Sequence, residues 1–159
     1  YMAQLINAIT EKYEVELLLN YIPTQQQEVA QLLSNCSEKS KEAIHSDIYG
    51  KSLREFLSLL SHCHAYIGNE GGASHMAKAM DIPNFSIFAP WISKEAWMTF
   101  KENPNNEAVH LGDFHPDAVR YASKKERQRK IPENYRLFKP ELFQNRLFSF
   151  LDNKILPYQ

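Results

Sequence analysis

The sequence predicts an α/β domain, a parallel sheet of short apolar strands with helices on both faces. Two observations predict it. Segments with apolar residues at helical spacing alternate along the chain with apolar runs of strand length. One stretch, Tyr66 to Phe88, reads throughout as strand, glycine-rich turn, helix, turn and strand. The chain is large enough to sustain such a domain. Its 159 residues, 43% hydrophobic and 23% charged, are the composition of a globular chain with a real core.

Leu5, Ile6, Ile9 and Tyr13 recur at helical spacing, so residues 1–12 are expected as an amphipathic helix. Val15–Leu19 follows as an apolar run of strand length. Pro23-Thr24 opens a second helix with Val29, Leu32 and Leu33 on one face and Thr24 as its N-cap. Ala43–Ile48 is expected as a short strand and Tyr49–Ser52 as a turn. Ser52 is expected to cap a helix whose apolar positions are Leu53, Phe56, Leu57 and Leu60. The strand–turn–helix–strand stretch comes next. Pro90–Pro104 reads as irregular or partly helical, with Trp91 and Trp97 expected to pack in a core or a domain interface. Ala108–Leu111 is expected as the last strand, Lys124–Lys130 as a basic solvated run, and Pro140–Ile155 as a final amphipathic helix. No internal repeat or low-complexity linker interrupts this order.

Charge and composition narrow the function. A net charge of -1 gives no nucleic-acid footprint. No apolar run is long enough to span a bilayer, and Tyr1–Leu5 lacks the pattern of a signal peptide. The chain has no Met at position 1 and opens inside a helical pattern, which suggests a piece of a longer protein. Cys36 and Cys63 form no CxxC pair. His62-Cys63-His64 offers too few well-spaced ligands for a metal and is expected as a helix end with bystander histidines.

The chemistry concentrates in Tyr66-Ile67-Gly68-Asn69-Glu70-Gly71-Gly72-Ala73-Ser74-His75. A strand that opens through glycines into a helix N-terminus builds an anion site. The first helical turn has unpaired N–H groups and partial positive charge, and glycine lets a phosphate approach the backbone. In a parallel α/β sheet, ligands lie beyond the carboxyl ends of the strands, where strand-to-helix loops gather. Gly71 and Gly72 are either a flexible helix start or donors to a pyrophosphate. His75 either packs and caps, or donates to a phosphate oxygen. Glu70 either accepts from sugar hydroxyls or complements the helix dipole, and Ser74 is a further candidate. Gly50-Lys51-Ser52 looks like the tail of a P-loop, but His45 stands where the first P-loop glycine belongs, so that pattern fails. Lys51 either lines a nucleotide pocket or is a solvated turn lysine.

The order of these signals resembles the donor-binding half of glycosyltransferase family nine, the ADP-heptose:lipopolysaccharide heptosyltransferases and their relatives. The family's core motif is commonly Asn-Asp-Ser-Gly-Pro-x-His-x-Ala-Ala-Ala, preceded by a Leu-x-Gly-Lys-Thr-Ser-Leu turn. Here Asn69, Gly72, His75, Ala77 and Ala79 match in register, Gly50, Lys51, Ser52 and Leu53 fit the earlier turn, and Ile82-Pro83 fits the turn to the next strand. The motif-bearing resemblance covers residues 45–90. Glu70 replaces the usual Asp, Gly71 the usual Ser or Thr, and Ala73 the usual Pro or Leu.

The resemblance implies the C-terminal, Rossmann-like half of a GT-B type glycosyltransferase. Its implied donor is a nucleotide-sugar, an ADP-sugar by analogy, bound by Lys51, Ser52, Asn69, Glu70, Gly71, Gly72, Ala73, Ser74 and His75. His75 would stabilise the leaving group, with no metal required. The acceptor domain, the catalytic base and the domain's first strand would precede Tyr1, leaving the isolated chain inactive. Implied partners are that N-terminal domain and a glycan or lipid-linked acceptor of lipopolysaccharide synthesis. The implied location is the cytoplasm, with a peripheral contact at the inner face of its membrane. The Lys124–Lys130 run, expected as a solvated face, would if functional meet an anionic membrane surface or a phosphorylated acceptor. The alternative is a non-catalytic nucleotide-binding or scaffold module of the same fold. A dinucleotide-dependent oxidoreductase fits less well, because no GxGxxG opens the first βα unit.

Overall fold

A computed structural model describes residues 1–154. The chain gathers into two compact units that divide between His62 and Cys63.

The first unit is helical. Its helices are α1 (Met2–Lys12), α2 (Gln26–Ser34), α3 (Glu38–Ala43) and α4 (Leu53–Leu60). Ala3, Ile6, Cys36 and Ile44 are buried together, with Leu17, Leu19, Leu32 and Leu33 packed around them. A polar seam fastens α1 to α3. Asn7 Oδ1 accepts from Ser37 N at 2.9 Å and Ser40 Oγ at 2.8 Å, and the Thr10 and Ser40 hydroxyls lie 2.7 Å apart. The two strands expected at Val15–Leu19 and Ala43–Ile48 are replaced by one parallel bridge, Leu17 to Ile44. Leu17 N donates to Ala43 O at 2.8 Å and His45 N to Leu17 O at 2.9 Å. Ala43 is consumed by α3, which Ser37 caps by accepting from Ser40 N, and Ile48 turns back onto His45 O. One residue therefore remains extended between two turns. Thr24 does not cap α2; Pro23–Gln25 forms a 3-10 turn ahead of it. Ser52 does cap α4, but Leu53 faces solvent, so the expected apolar stripe begins at Phe56.

The second unit holds the sheet. Strands β1 (Tyr66–Asn69), β2 (Asn84–Ile87) and β3 (Asn106–Val109) are parallel, in the order β1-β2-β3. Helix α5 (Gly72–Ala79) connects β1 to β2. The register pairs Ile67 with Phe85 and Phe85 with Glu107. Alternate residues of a strand face opposite sides, and β2 uses both. Asn84 and Ser86 meet α5, where Ser74 lies 2.7 Å from the Ser86 hydroxyl and its carbonyl accepts from Asn84 Nδ2 at 3.4 Å. Phe85 packs on the other side against Phe143 and Phe150.

Phe150 belongs to α8 (Gln144–Lys154), so helices cover both faces of this sheet. The final helix differs from the expected one. Pro140–Leu142 is a separate 3-10 turn ahead of α8, and Ile155 lies outside the described residues. The third strand ends at Val109, two residues before the expected end. His110 there accepts from Gly112 N and starts a 3-10 turn. Short α6 (Lys94–Trp97) lies after β2. The basic run Lys124–Lys130 is the first half of α7 (Lys124–Leu137), capped by Ser123.

Candidate functional site

The loop from Asn69 to Ser74 leaves the C-terminal end of β1 and becomes α5. Its first intrahelical bond runs from His75 N to Gly71 O at 3.0 Å. The N–H groups of Gly71, Gly72, Ala73 and Ser74 precede that bond, and the N-cap, Gly71, has no side chain to satisfy them. The space before them is open. A Cβ built on Gly71 meets no atom within 4 Å, and one on Gly72 meets only Met76 Cε at 3.9 Å. Gly68 is different: a Cβ there would lie 2.7 Å from the Tyr66 hydroxyl, so glycine gives the Tyr66 ring room to fold along β1, and a larger residue would push the ring aside. Burial, reinforced by the nearby Glu70 charge, pushes the Tyr66 phenol up to about 12, which keeps it neutral.

The polar side chains of the loop turn inward. The Glu70 side chain is 4% exposed; its Oε2 lies 3.1 Å from Lys78 Nζ, itself 0% exposed, and accepts from Ser74 Oγ at 3.0 Å. Ser74 is fully buried and continues through Ser86 to Asn84. The Glu70 carboxylate and the Ser74 hydroxyl are thus committed to a network behind the loop, and what the loop presents outward is backbone. The Lys78 cation neutralises a carboxylate that would otherwise oppose an anion at the helix N-terminus.

His75 is partly exposed and bridges outward. Its Nε2 stands 3.1 Å from Glu70 Oε1, an ion-pair distance, although Oε1 receives no aligned hydrogen bond. We read this pair as an electrostatic contact. Its Nδ1 lies 3.2 Å from the Thr99 hydroxyl. Neither Lys78 nor Thr99 stands out in the sequence. The available signal for Lys78 is that it takes the middle alanine of the motif's Ala-Ala-Ala, on the helix face that also buries Ala77.

The other expected residues lie elsewhere or do other work. Asn69 ends β1 and is exposed. Lys51 and Ser52 belong to the first unit. There Ser52 Oγ accepts from Glu55 N at 3.2 Å, capping α4, and Glu55 Oε2 accepts from Lys51 N at 2.8 Å. Gly50 is demanded by packing, since a Cβ would come within 2.5 Å of Phe56 N. Trp91 and Trp97 do not pack into a core; they are 43% and 60% exposed. Among the described residues no group of three His, Cys, Asp or Glu side chains is placed to hold a metal, His62, Cys63 and His64 included. Among them also, no helix is long and apolar enough to cross a membrane.

A β1–loop–α5 unit of this kind, with an exposed glycine pair at the helix start and a flanking histidine, suits a phosphate-bearing ligand. No curated protein and no solved structure matches the chain. The sequence model of one family, described as glycosyltransferase family 9 (heptosyltransferase), matches residues 2–116, a span that contains both the Gly50–Leu53 turn and the whole of the β1–α5–β2 unit. The chain therefore belongs to glycosyltransferase family 9.

Proposed function

We propose that the Gly71–His75 loop takes the diphosphate of a nucleotide-sugar donor, and that the chain is the donor side of a GT-B type, inverting glycosyltransferase. One observation carries the reading. Four N–H groups precede the first bond of α5, the two glycines that begin this turn, Gly71 and Gly72, are exposed, and the His75 imidazole stands in the same turn. In the transfer, an acceptor hydroxyl oxygen bonds to the anomeric carbon as the carbon–phosphate-oxygen bond breaks. The bonding pair leaves with the nucleoside diphosphate, and the hydroxyl proton goes to a base outside the loop. Charge grows on the diphosphate, so N–H donors fixed in advance stabilise the transition state more than the bound donor. The His75 ring stands at the rim of the cradle, and it would donate to the phosphate by exchanging its contact with Glu70 or Thr99.

Family membership favours an ADP-heptose-like donor and an acceptor glycan of lipopolysaccharide synthesis, met at the inner face of the cytoplasmic membrane. Because Glu70 and Ser74 face inward, the backbone of Gly71, Gly72 and Ala73 carries the phosphate contact. Calorimetric titration with ADP, UDP and GDP tests the reading. Binding that disappears in Gly72→Asp, which sets a carboxylate in the cradle, supports it; absence of binding to the chain, or equal binding by the variant, overturns it.

The inward Glu70 and Ser74, with no hydroxyl at position 71, favour one second reading, a nucleotide-binding module without transfer. Sugar release from a bound nucleotide-sugar, assayed with the acceptor domain present, separates the two.

A further inference from the structure

Two non-glycine residues have φ in the left-handed region, Asp81 at 56° and Phe100 at 53°. Local structure accounts for Asp81. It follows the end of α5, its N–H donates to Lys78 O, and its carboxylate accepts from the Asn103 and Asn105 amides at 2.8 and 3.3 Å. Phe100 has no such account. Its carbonyl is held by Asn103 N at 3.1 Å and Asn106 Nδ2 at 3.2 Å, which fixes the turn, yet its ring is 57% exposed. Glycine or asparagine adopts this backbone at lower cost, and a bulky residue kept in it points to a use for its side chain. The residue before it, Thr99, sets this turn beside the loop: the Thr99 hydroxyl lies 3.2 Å from His75 Nδ1. Trp97, in the same segment, is also exposed.

We infer that Phe100 and Trp97 form a stacking platform for the nucleobase of the ligand whose diphosphate enters the Gly71–His75 loop; this rests on the donor-binding reading above. The Thr99 hydroxyl is engaged by His75, so Trp97, Met98 and Phe100 offer ring faces and a thioether. That surface suits the flat face of a heteroaromatic base, which stacks on rings without needing hydrogen-bond partners from them. Stacking on a ring face does not distinguish bases sharply, so the platform secures the nucleoside while the loop secures the diphosphate.

Titration of the full chain with inorganic pyrophosphate, ADP and ADP-glucose tests the platform. Phe100→Gly and Trp97→Ala are each expected to weaken ADP and ADP-glucose about tenfold and to leave pyrophosphate affinity unchanged. Phe100→Trp is expected to retain ADP binding. The melting temperature of Phe100→Gly is expected to equal or exceed that of the parent, because glycine relieves the backbone, so lost affinity cannot be assigned to misfolding. Unchanged ADP affinity in both variants overturns the platform. So does a parent chain that binds pyrophosphate as tightly as ADP, or a loss confined to ADP-glucose, which would place the sugar on the rings. A chain that binds none of the three overturns the cradle, and the platform with it.

Discussion

Replacing Lys78 by Met tests whether the loop is held from behind. Lys78 Nζ and Glu70 Oε2 are 3.1 Å apart, with side chains 0% and 4% exposed. At an effective dielectric of about 20 their attraction is about 5 kcal/mol. Most of that offsets the cost of removing both charges from water, so the pair contributes little net stability over an apolar pair of the same shape. Removing only the cation is different, because it strands a carboxylate that keeps the Ser74 hydroxyl and the His75 ring as its remaining polar neighbours. The expected cost of Lys78→Met is about 3–5 kcal/mol, a large part of a typical domain's stability. The melting temperature should fall on the order of 10 °C or more. Glu70→Gln combined with Lys78→Met should recover at least half of that loss, since no charge is then buried alone. Urea denaturation of the parent, both single variants and the double variant closes the cycle. A cost below about 1 kcal/mol for Lys78→Met, or a double variant as unstable as the sum of the singles, would refute the argument.

Three further outcomes follow from the same structure. Gly50→Ala should destabilise by about 1–3 kcal/mol, since its Cβ would stand 2.5 Å from Phe56 N; Gly71→Ala, with open space and extended backbone, should leave the melting temperature unchanged, and thermal melts of the two compare them directly. Ser52→Ala should cost about 1 kcal/mol by removing the cap of α4, with Ser52→Asp restoring most of it in urea melts. His110 is buried, its Nδ1 accepts from Gly112 N at 3.0 Å, and its Nε2 lies 3.2 Å from Pro90 O. Burial holds its pKa below the ordinary histidine value against the opposing pull of Pro90 O and Asp113. Its folded pKa is depressed, so its contribution is complete above the unfolded value of about 6.5 and is lost as pH falls through the lower folded value. Urea midpoints from pH 7.5 down to 5 should therefore drop less steeply in His110→Asn than in the parent; parallel slopes would remove His110 as the cause.

The β1–α5–β2 unit was legible because each signal in it is local. Glycines mark the turn, Ala77 lies on the buried face of α5, and Ile82-Pro83 closes the connection. Strands elsewhere were less so. Val15–Leu19 has the composition of a strand, but a ladder needs a partner, and α3 and the turn at Ile48 leave Ile44 alone to supply one. Helix α7 was hidden because its sequence is almost wholly polar and carries Pro132, so no apolar period announces it. It forms around an N-cap, Ser123 Oγ accepting from Glu126 N while the Glu126 carboxylate accepts from Ala122 N, and around buried Asn134, whose Nδ2 donates to Ala118 O and the Tyr121 hydroxyl. The exposed positions of Trp91 and Trp97 were invisible for the opposite reason: an aromatic residue reads as core until the neighbours that fail to cover it are known.

The departures at positions 70, 71 and 78 share one physical account; nothing in the structure explains Ala73. Aspartate at position 70 would be shorter by one methylene than the glutamate whose Oε2 meets the Lys78 ammonium. Alanine at position 78 would supply no cation at all. Glu70 and Lys78 therefore stand or fall together, the longer carboxylate reaching inward and the lysine entering the core to neutralise it. Once Glu70 is anchored there, Ser74 donates to it and the hydroxyl network runs on into β2, so the loop is braced by side chains on its inner side. A hydroxyl at position 71 is then unnecessary for holding the turn, and glycine leaves the N–H groups bare. An acidic residue beside a helix N-terminus would ordinarily weaken an anion site. Paired with a buried lysine eight residues on, it adds no net negative charge there, which is the condition the proposed diphosphate site needs.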